Sequence, residues 1–260
     1  RKKPDDISIM NYKAEIGIPA SRSVDIMLRS LALKSSQLLS ASDPSLVMTK
    51  RLVDNHQLSS VFFHGDDKVH ASCTTDVLLA SKAPVRRYAD EDKVYATRDM
   101  SVPDIFPLAA TIDLTKSHIY SNSSSLGYLD SFPYTNHHTL FLSMKQEWRM
   151  DQRHASALLM SYCHCVEQAN RRGANSRGSD MEEPIVIHSV HTDGESFGYT
   201  CFQLNTLQTD PSKPGVKNMA WTEADRLYEK TIPRRAMLRN TKYDLYNPAV
   251  VQKVLAIVSQ

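Results

Sequence analysis

The sequence predicts a mixed α+β fold, a sheet of hairpins and short strands flanked by helices, and three observations carry that prediction. Two runs rich in β-branched and aromatic residues, Ile185 to His191 and Ser196 to Leu207, are split by Thr192-Asp193-Gly194-Glu195, and Asp-Gly between such runs is a strong hairpin signal. Near the N-terminus, Val24, Met27, Leu28, Leu31, Leu38 and Leu39 recur at helical spacing. At the other end Asn247-Pro248 opens a helix whose Val250, Val251, Val254, Leu255 and Val258 form one stripe. The 260 residues, 41% hydrophobic and 23% charged, can fill a sizeable core. No internal repeat or clean linker divides them, so the expectation is a single mixed α/β domain over 21–260 behind an irregular basic arm over 1–20.

The arm begins Arg1-Lys2-Lys3 and carries two prolines. Ser23 is placed to cap the first helix. Asp43-Pro44 then supplies a cap and a first helical position for a second helix running through Leu46, Val47 and Leu52, because proline there loses no needed hydrogen bond. Leu58 to His64 and Lys68 to Cys73 flank Gly65-Asp66-Asp67 as a hairpin, with Asp76 to Ala80 a further strand. From Lys82 to Pro107 the prolines, charges and lack of period indicate a surface excursion, after which Ala110 to Leu114 and His118 to Tyr120 read as short buried strands and Ser121 to Ser125 as a loop. His137 to Met144 reads as another strand. Asp151 to Arg171 follows as a helix that turns Leu158, Leu159, Tyr162, Val166 and Ala169 toward a core, and the stretch from Gly173 to Glu183 separates it from the hairpin.

Composition narrows the functional classes. Thirty-one Lys and Arg against 29 Asp and Glu give a net charge of +2 and a pI near 8.3, a mild bias toward acidic partners such as RNA. Cys73, Cys163, Cys165 and Cys201 show no repeated spacing, which fits free thiols in a reducing compartment better than a disulfide framework. No apolar run approaches the roughly 18 residues a bilayer span needs, so no membrane span is expected. The chain begins at Arg1 rather than Met, so a leader or N-terminal extension is expected to have preceded it.

Several residues invite a chemical role. His188, His191 and Asp193 carry zinc- or iron-ligand chemistry, but strand residues three apart point to opposite faces and the aspartate is needed in the turn. Cys163 and Cys165, on a helix that turns about 100° per residue, face away from each other and behave as buried thiols rather than as a chelate. His137 and His138 diverge on their strand, one at the core margin and one exposed. Asp113, at a strand end, has no second carboxylate or lysine beside it and reads as a turn or capping residue. The eight glycines form no phosphate-cradling loop. The expectation is therefore no catalytic residue, metal or cofactor. Basic segments are more informative. Lys230 to Lys242 holds five basic residues, Lys230, Arg234, Arg235, Arg239 and Lys242, and no acidic one; Arg171, Arg172 and Arg177 form a second acid-free segment. Such segments neutralise RNA phosphates or lie on a solvated face.

The wording of several segments tilts that choice toward RNA for Lys230 to Lys242 and leaves it open for Arg171, Arg172 and Arg177. Thr192-Asp193-Gly194, Phe202-Gln203-Leu204-Asn205-Thr206 and Gly215-Val216-Lys217-Asn218-Met219-Ala220-Trp221 resemble the mitochondrial large-subunit ribosomal protein thirty-seven family. The resemblance continues through Lys34 to Val53, Ile112-Asp113-Leu114, His118-Ile119-Tyr120 and His138-Thr139-Leu140-Phe141-Leu142, and departs at Tyr134-Thr135-Asn136-His137-His138 and in the family's long N-terminal region, which is absent here. A paralogous family, the programmed-cell-death-nine protein once counted as small-subunit protein thirty, shares the Cys201 to Leu207 wording, while Gly215 to Trp221 favours thirty-seven. The resemblance implies a non-catalytic constituent of the mitochondrial large ribosomal subunit, bound to the ribosome in the matrix. Its implied partners are mitochondrial ribosomal RNA, neighbouring large-subunit proteins and, as a heterodimer, the paralogue, with no small-molecule substrate. The competing expectations are a metal-assisted hydrolase built on Asp113 and the His188 to Asp193 turn, and a protein-binding adaptor without RNA contact that uses the 137–142 strand or the C-terminal helix.

Overall fold

The computed structural model describes residues 18–64, 67–101, 124–129, 131–174, 178, 180–210, 213–231 and 242–260. In chain order the elements are α1 (Ala20–Ser42), α2 (Ser45–Thr49), β1 (Lys50–His64), β2 (Asp67–Ser81), α3 (Glu91–Tyr95), β3 (Asn136–Ser143), α4 (Met150–Arg171), β4 (Asp180–Thr192), β5 (Ser196–Thr206), β6 (Met219–Arg226), β7 (Glu229–Thr231), β8 (Lys242–Asp244) and α5 (Ala249–Ser259). Strands β1 to β6 form one sheet in sequential order, and β7 pairs with β8. Every neighbour in the large sheet is antiparallel except β3 and β4, whose parallel pairing requires a long crossover, supplied by α4.

The two sheet faces are covered by different helices, as the alternation of side chains in a strand allows. Toward α4, Leu78, Ala80, Leu140, Leu142, Ile185, Ile187, Phe202 and Leu204 pack with Ala157, Cys163, Cys165 and Val166. Toward α1 and α5, the intervening Val77, Leu79, Phe141, Val190, Phe197 and Tyr199 pack with Leu28, Ala32, Val250, Val254 and Val258. The mixed α+β class is therefore as the hairpin and the helical periods predict.

Several local expectations differ from what forms. Ser23 is not a cap: it lies one turn inside α1, its N–H donating to Pro19 O at 2.9 Å. Asp43 does cap, accepting from Ser45 N at 3.0 Å, but α2 stops at Thr49 and Leu52 belongs to β1, where it pairs with Leu79. The β1–β2 hairpin is much longer than expected, each strand 15 residues, and absorbs Asp76 to Ala80. Short α3 interrupts the excursion after Lys82, and β4 begins within the stretch expected to separate α4 from the hairpin. His137 and His138 do diverge, but neither is exposed. Leu79 pairs with Thr139 and Ala80 with His137, leaving His138 as the extra residue of a bulge that turns the two imidazoles into the cores on opposite faces. The expected strands at Ala110 to Leu114 and His118 to Tyr120, with Asp113, and most of the basic arm lie outside the described residues.

The β4–β5 hairpin forms as predicted, with Asp193 Oδ1 accepting from Glu195 N at 3.0 Å and Ser196 N at 2.8 Å. Gly198 stands directly opposite His191, and a Cβ built on it would lie 2.1 Å from His191 Cε1. Its backbone is ordinary, so the need for glycine is one of space. Gly198→Ala is expected to destabilise by about 1–3 kcal/mol through overpacking. Urea denaturation in wild-type and His191→Ala backgrounds checks the cause: the added loss should disappear once the imidazole is gone, and an equal loss in both backgrounds would refute the clash.

Candidate nucleic-acid interface

The basic residues that the structure gathers stand at one end of the sheet, where α4 finishes. Gly173, at φ +82°, lets the chain leave the helix, and the N–H groups of Arg172, Gly173 and Ala174 take the carbonyls of Gln168, Asn170 and Ala169. Arg171 and Arg172 are consequently presented at the last turn, where cations also suit the helix dipole. Arg172 Nη2 donates to Asn136 Oδ1 at 3.0 Å, and Asn136 Nδ2 donates to Lys82 O at 2.8 Å. The start of β3 is thereby tied to the end of α4 and to the residue just after β2.

Two tyrosines organise the cations. The Arg171 guanidinium lies 5.8 Å from the centroid of the Tyr128 ring, while Arg51 and Lys82 lie 5.6 Å and 5.4 Å from that of Tyr134, within cation–π range. Tyr134 is buried and the four cations are exposed. Among the described residues Arg51, Lys82 and Arg172 make no ion pair. Thr135, Asn136, Gln168, Arg171 and Arg172 line a cleft of about 170 Å³ in this surface.

Beneath the cations lies a chain of neutral polar groups. The Tyr128 hydroxyl donates to Thr135 O at 2.9 Å, so it accepts from Nε2–H of His137 at 3.0 Å. That tautomer leaves His137 Nδ1 as acceptor for Nδ1–H of His164 at 2.7 Å, and His164 Nε2 in turn accepts from the Thr75 hydroxyl at 3.1 Å. Burial holds His137 well below its ordinary pKa and His164 at about 3, with neighbouring imidazoles adding to the effect, and burial pushes the Tyr128 phenol up to about 12. The chain fixes the base of the cleft from inside, through hydrogen bonds whose directions are set at each link.

The other candidate residues stand elsewhere. His188 and His191 occupy opposite faces: His188 bonds Gln260 Oε1 at 2.9 Å, whereas His191 stacks edge-on with His154. Asp193, besides closing the turn, pairs with Arg153 at 2.6 Å in a nearly dry setting. Among the described residues no group of three or more His, Cys, Asp or Glu is arranged to hold a metal. All four cysteines are free and buried, and Cys163 and Cys165 make different contacts, the first with the Cys73 thiol and the second with Ile185 O. Of the Lys230 to Lys242 segment, the backbones of Lys230 and Lys242 lie in β7 and β8, while Arg234, Arg235 and Arg239 lie outside the described residues, as does Arg177 of the other basic segment. Arg51, Lys82, Tyr128 and Tyr134 were not legible as site residues. They come from segments up to 83 positions apart, between Arg51 and Tyr134, and only the strand pairing brings them together.

Comparison with known proteins adds relatives to this geometry. A family model described as Mitochondrial 28S ribosomal protein S30 (PDCD9) matches residues 137–258. The chain is 34% identical to the Large ribosomal subunit protein mL37 of Rattus norvegicus over 159 residues, which is 59% of this chain and 37% of that protein. It is 27% identical to the protein of the same name from Gallus gallus over 230 residues, 84% of this chain and 53% of the relative, and 26% identical to that of Bos taurus over 238 residues, 87% and 55%. The aligned regions thus span between about a third and just over half the length of these relatives.

Proposed function

We propose that this chain belongs to the family of mitochondrial ribosomal proteins that includes mL37 and PDCD9, and that it is a structural, non-enzymatic constituent of the mitochondrial large ribosomal subunit, bound to the ribosome in mitochondria. The family model is described by a small-subunit name and the relatives by a large-subunit one. The large subunit is favoured because the relatives align over up to 87% of this chain, beyond the span that the family model covers. Residues 21–260 act as one domain, contacting ribosomal RNA at a few places and neighbouring large-subunit proteins at others, with the PDCD9 paralogue the proposed partner.

The observation that carries RNA contact is the surface formed by Arg51, Lys82, Arg171 and Arg172, three of whose four cations have no carboxylate partner among the described residues. Exposed guanidinium groups release counterions when they meet phosphates, and this charge is available for that purpose. Arg177, Lys230, Arg234, Arg235, Arg239 and Lys242 are proposed as further contacts. The hydrolase alternative finds no support in the His188 to Asp193 turn, where Asp193 is engaged by Arg153 and the turn and His188 and His191 face apart; Asp113 lies outside the described residues.

Sucrose-gradient fractionation of mitochondrial lysate at low and high salt, probed beside large- and small-subunit RNA, tests the assignment. Co-migration with the large subunit is expected. Migration with the small subunit, or as a free protein, would overturn it. Charge reversal at Arg171 and Arg172 (R171E/R172E) should weaken association and make what remains of it less dependent on salt, whereas an adaptor that touches only protein would tolerate it.

A further inference from the structure

We infer that the cleft between α4 and β3 is a seat for one backbone phosphate of RNA, occupied without regard to base sequence. This rests on the ribosomal reading above and goes further by naming the chemical group held and the residues that hold it.

Hydrogen-bond accounting within the cleft gives the argument. The side-chain amide oxygens that line it are already used: Asn136 Oδ1 accepts from Arg172 at 3.0 Å, and Gln168 Oε1 accepts from His137 N at 3.0 Å. The Asn136 and Gln168 amide nitrogens are also turned inward, onto Lys82 O and His164 O. A nucleobase edge, which alternates donors and acceptors, would find no amide left to read it. What remains is the other N–H groups of Arg172, which only donate, and the Thr135 hydroxyl, which can donate, with the positive charge of Arg171 beside them. An oxyanion matches that set, and a guanidinium fork suits phosphate oxygens.

The negative end of a helix would ordinarily repel an anion here. Three of the last four carbonyls of α4, those of Gln168, Ala169 and Asn170, are, however, occupied by the N–H groups of Arg172, Ala174 and Gly173. The nearest helical carboxylate, Glu167, is buried and turned away, accepting from Val61 N and Asn170 Nδ2, both at 3.1 Å. At about 170 Å³ the cleft is large enough for a phosphate group and a water, and Arg51 and Lys82 extend the positive surface along which the rest of a strand would run.

The test uses the whole chain and a labelled single-stranded RNA in two versions, one with its bases scrambled, titrated over a series of salt concentrations. Arg172→Gln and Thr135→Val should each weaken both RNAs equally, and Arg172→Gln should lower the slope of log affinity against log salt by about one, the signature of a lost phosphate contact. Circular dichroism confirms that the variants fold, and Arg172→Lys, which keeps charge without the fork, should fall in between. An unchanged slope in Arg172→Gln, or a loss confined to one base sequence, would overturn the seat. Inorganic phosphate titrated alone separates the sources: if it shifts the Thr135 and Asn136 amide resonances while Arg172→Gln leaves RNA binding intact, the cleft is a free-anion site instead. Failure of the ribosomal reading would look different, with the wild-type chain absent from the large subunit whatever its RNA slope.

Discussion

Asp193→Ala is expected to destabilise the protein by about 3–5 kcal/mol, the scale on which a buried ion pair is broken from one side. Asp193 does two jobs with different atoms. Its Oδ1 accepts from the N–H groups of Glu195 and Ser196 and so shapes the β4–β5 turn. Its Oδ2 stands 2.6 Å from Arg153, and the two side chains are only 13% and 7% exposed. Removing the carboxylate leaves a guanidinium in a nearly dry site with Gln146 O, at 3.3 Å, as its remaining partner and Nε already without one. Thermal denaturation should register a fall in Tm of about 10 °C, at about 2–4 °C per kcal/mol for a domain of this size. Asp193→Asn keeps an oxygen for the turn but not the charge, so the difference between Asn and Ala isolates the turn from the ion pair. Adding Arg153→Met to Asp193→Asn should restore much of the loss, because a buried pair replaced on both sides is far less costly than one broken on one side. An Asp193→Ala variant within about 0.5 kcal/mol of wild type, the range of an ordinary surface change, would show that the pair is solvated.

That ion pair also shows where sequence reasoning stops. Asp193-Gly194 predicts the turn because a hairpin signal is local, and the periodic stripes of α1, α4 and α5 are local too. Nothing near Asp193 points to Arg153, forty positions earlier on a helix that crosses the sheet. The same limit explains the misplaced start of β1. Lys50 to Gln57 is polar except for Leu52 and Val53 and continues the spacing of α2, yet it forms a strand because β2 offers a partner for each residue from Lys50 to Asp54, including Leu79 for Leu52. Strand β6, with Glu223, Ala224 and Asp225, has poor strand composition and is held by its pairing with β5 and by Trp221, which packs against Val85, Val186 and Cys201. For the candidate interface the contrast is sharper. Arg171 and Arg172 stand out as an acid-free pair in the sequence, but Arg51 and Lys82 look like isolated surface charges until the sheet places them over one tyrosine. Contacts that a chain makes with itself at long range carry no short-range signature, and a surface assembled from four segments is made of such contacts.

Acid is expected to unfold this protein through its histidines before its carboxylates matter. Burial lowers the pKa of His188 to about 4, His164 and His191 to about 3 and His138 to about 2, and depresses His56 and His137 as well. All six imidazoles are buried, so the folded state holds them neutral, whereas the unfolded chain protonates them near the ordinary value of about 6.5. The unfolded state therefore binds more protons throughout the window between about 6.5 and each folded pKa, and stability falls as pH falls through it. Each histidine contributes a slope of up to about 1.4 kcal/mol per pH unit there, so several acting together should remove several kcal/mol between pH 6.5 and 5. Neutral imidazole is built into the structure on both faces: a proton on His164 Nε2 would oppose the Thr75 donor, and one on His138 would face the Lys50 ammonium, whose Nζ lies 3.2 Å from His138 Nε2. Urea denaturation at pH 7.5, 6.5, 5.5 and 5.0 measures the slope directly. His164→Gln, with an amide in place of the titrating ring, should flatten the slope by the share of one histidine even if it lowers stability at pH 7.5. A denaturation midpoint that does not move between pH 7.5 and 5 would mean that these imidazoles already accept protons in the folded state, and would refute the neutral chain beneath the basic cleft along with it.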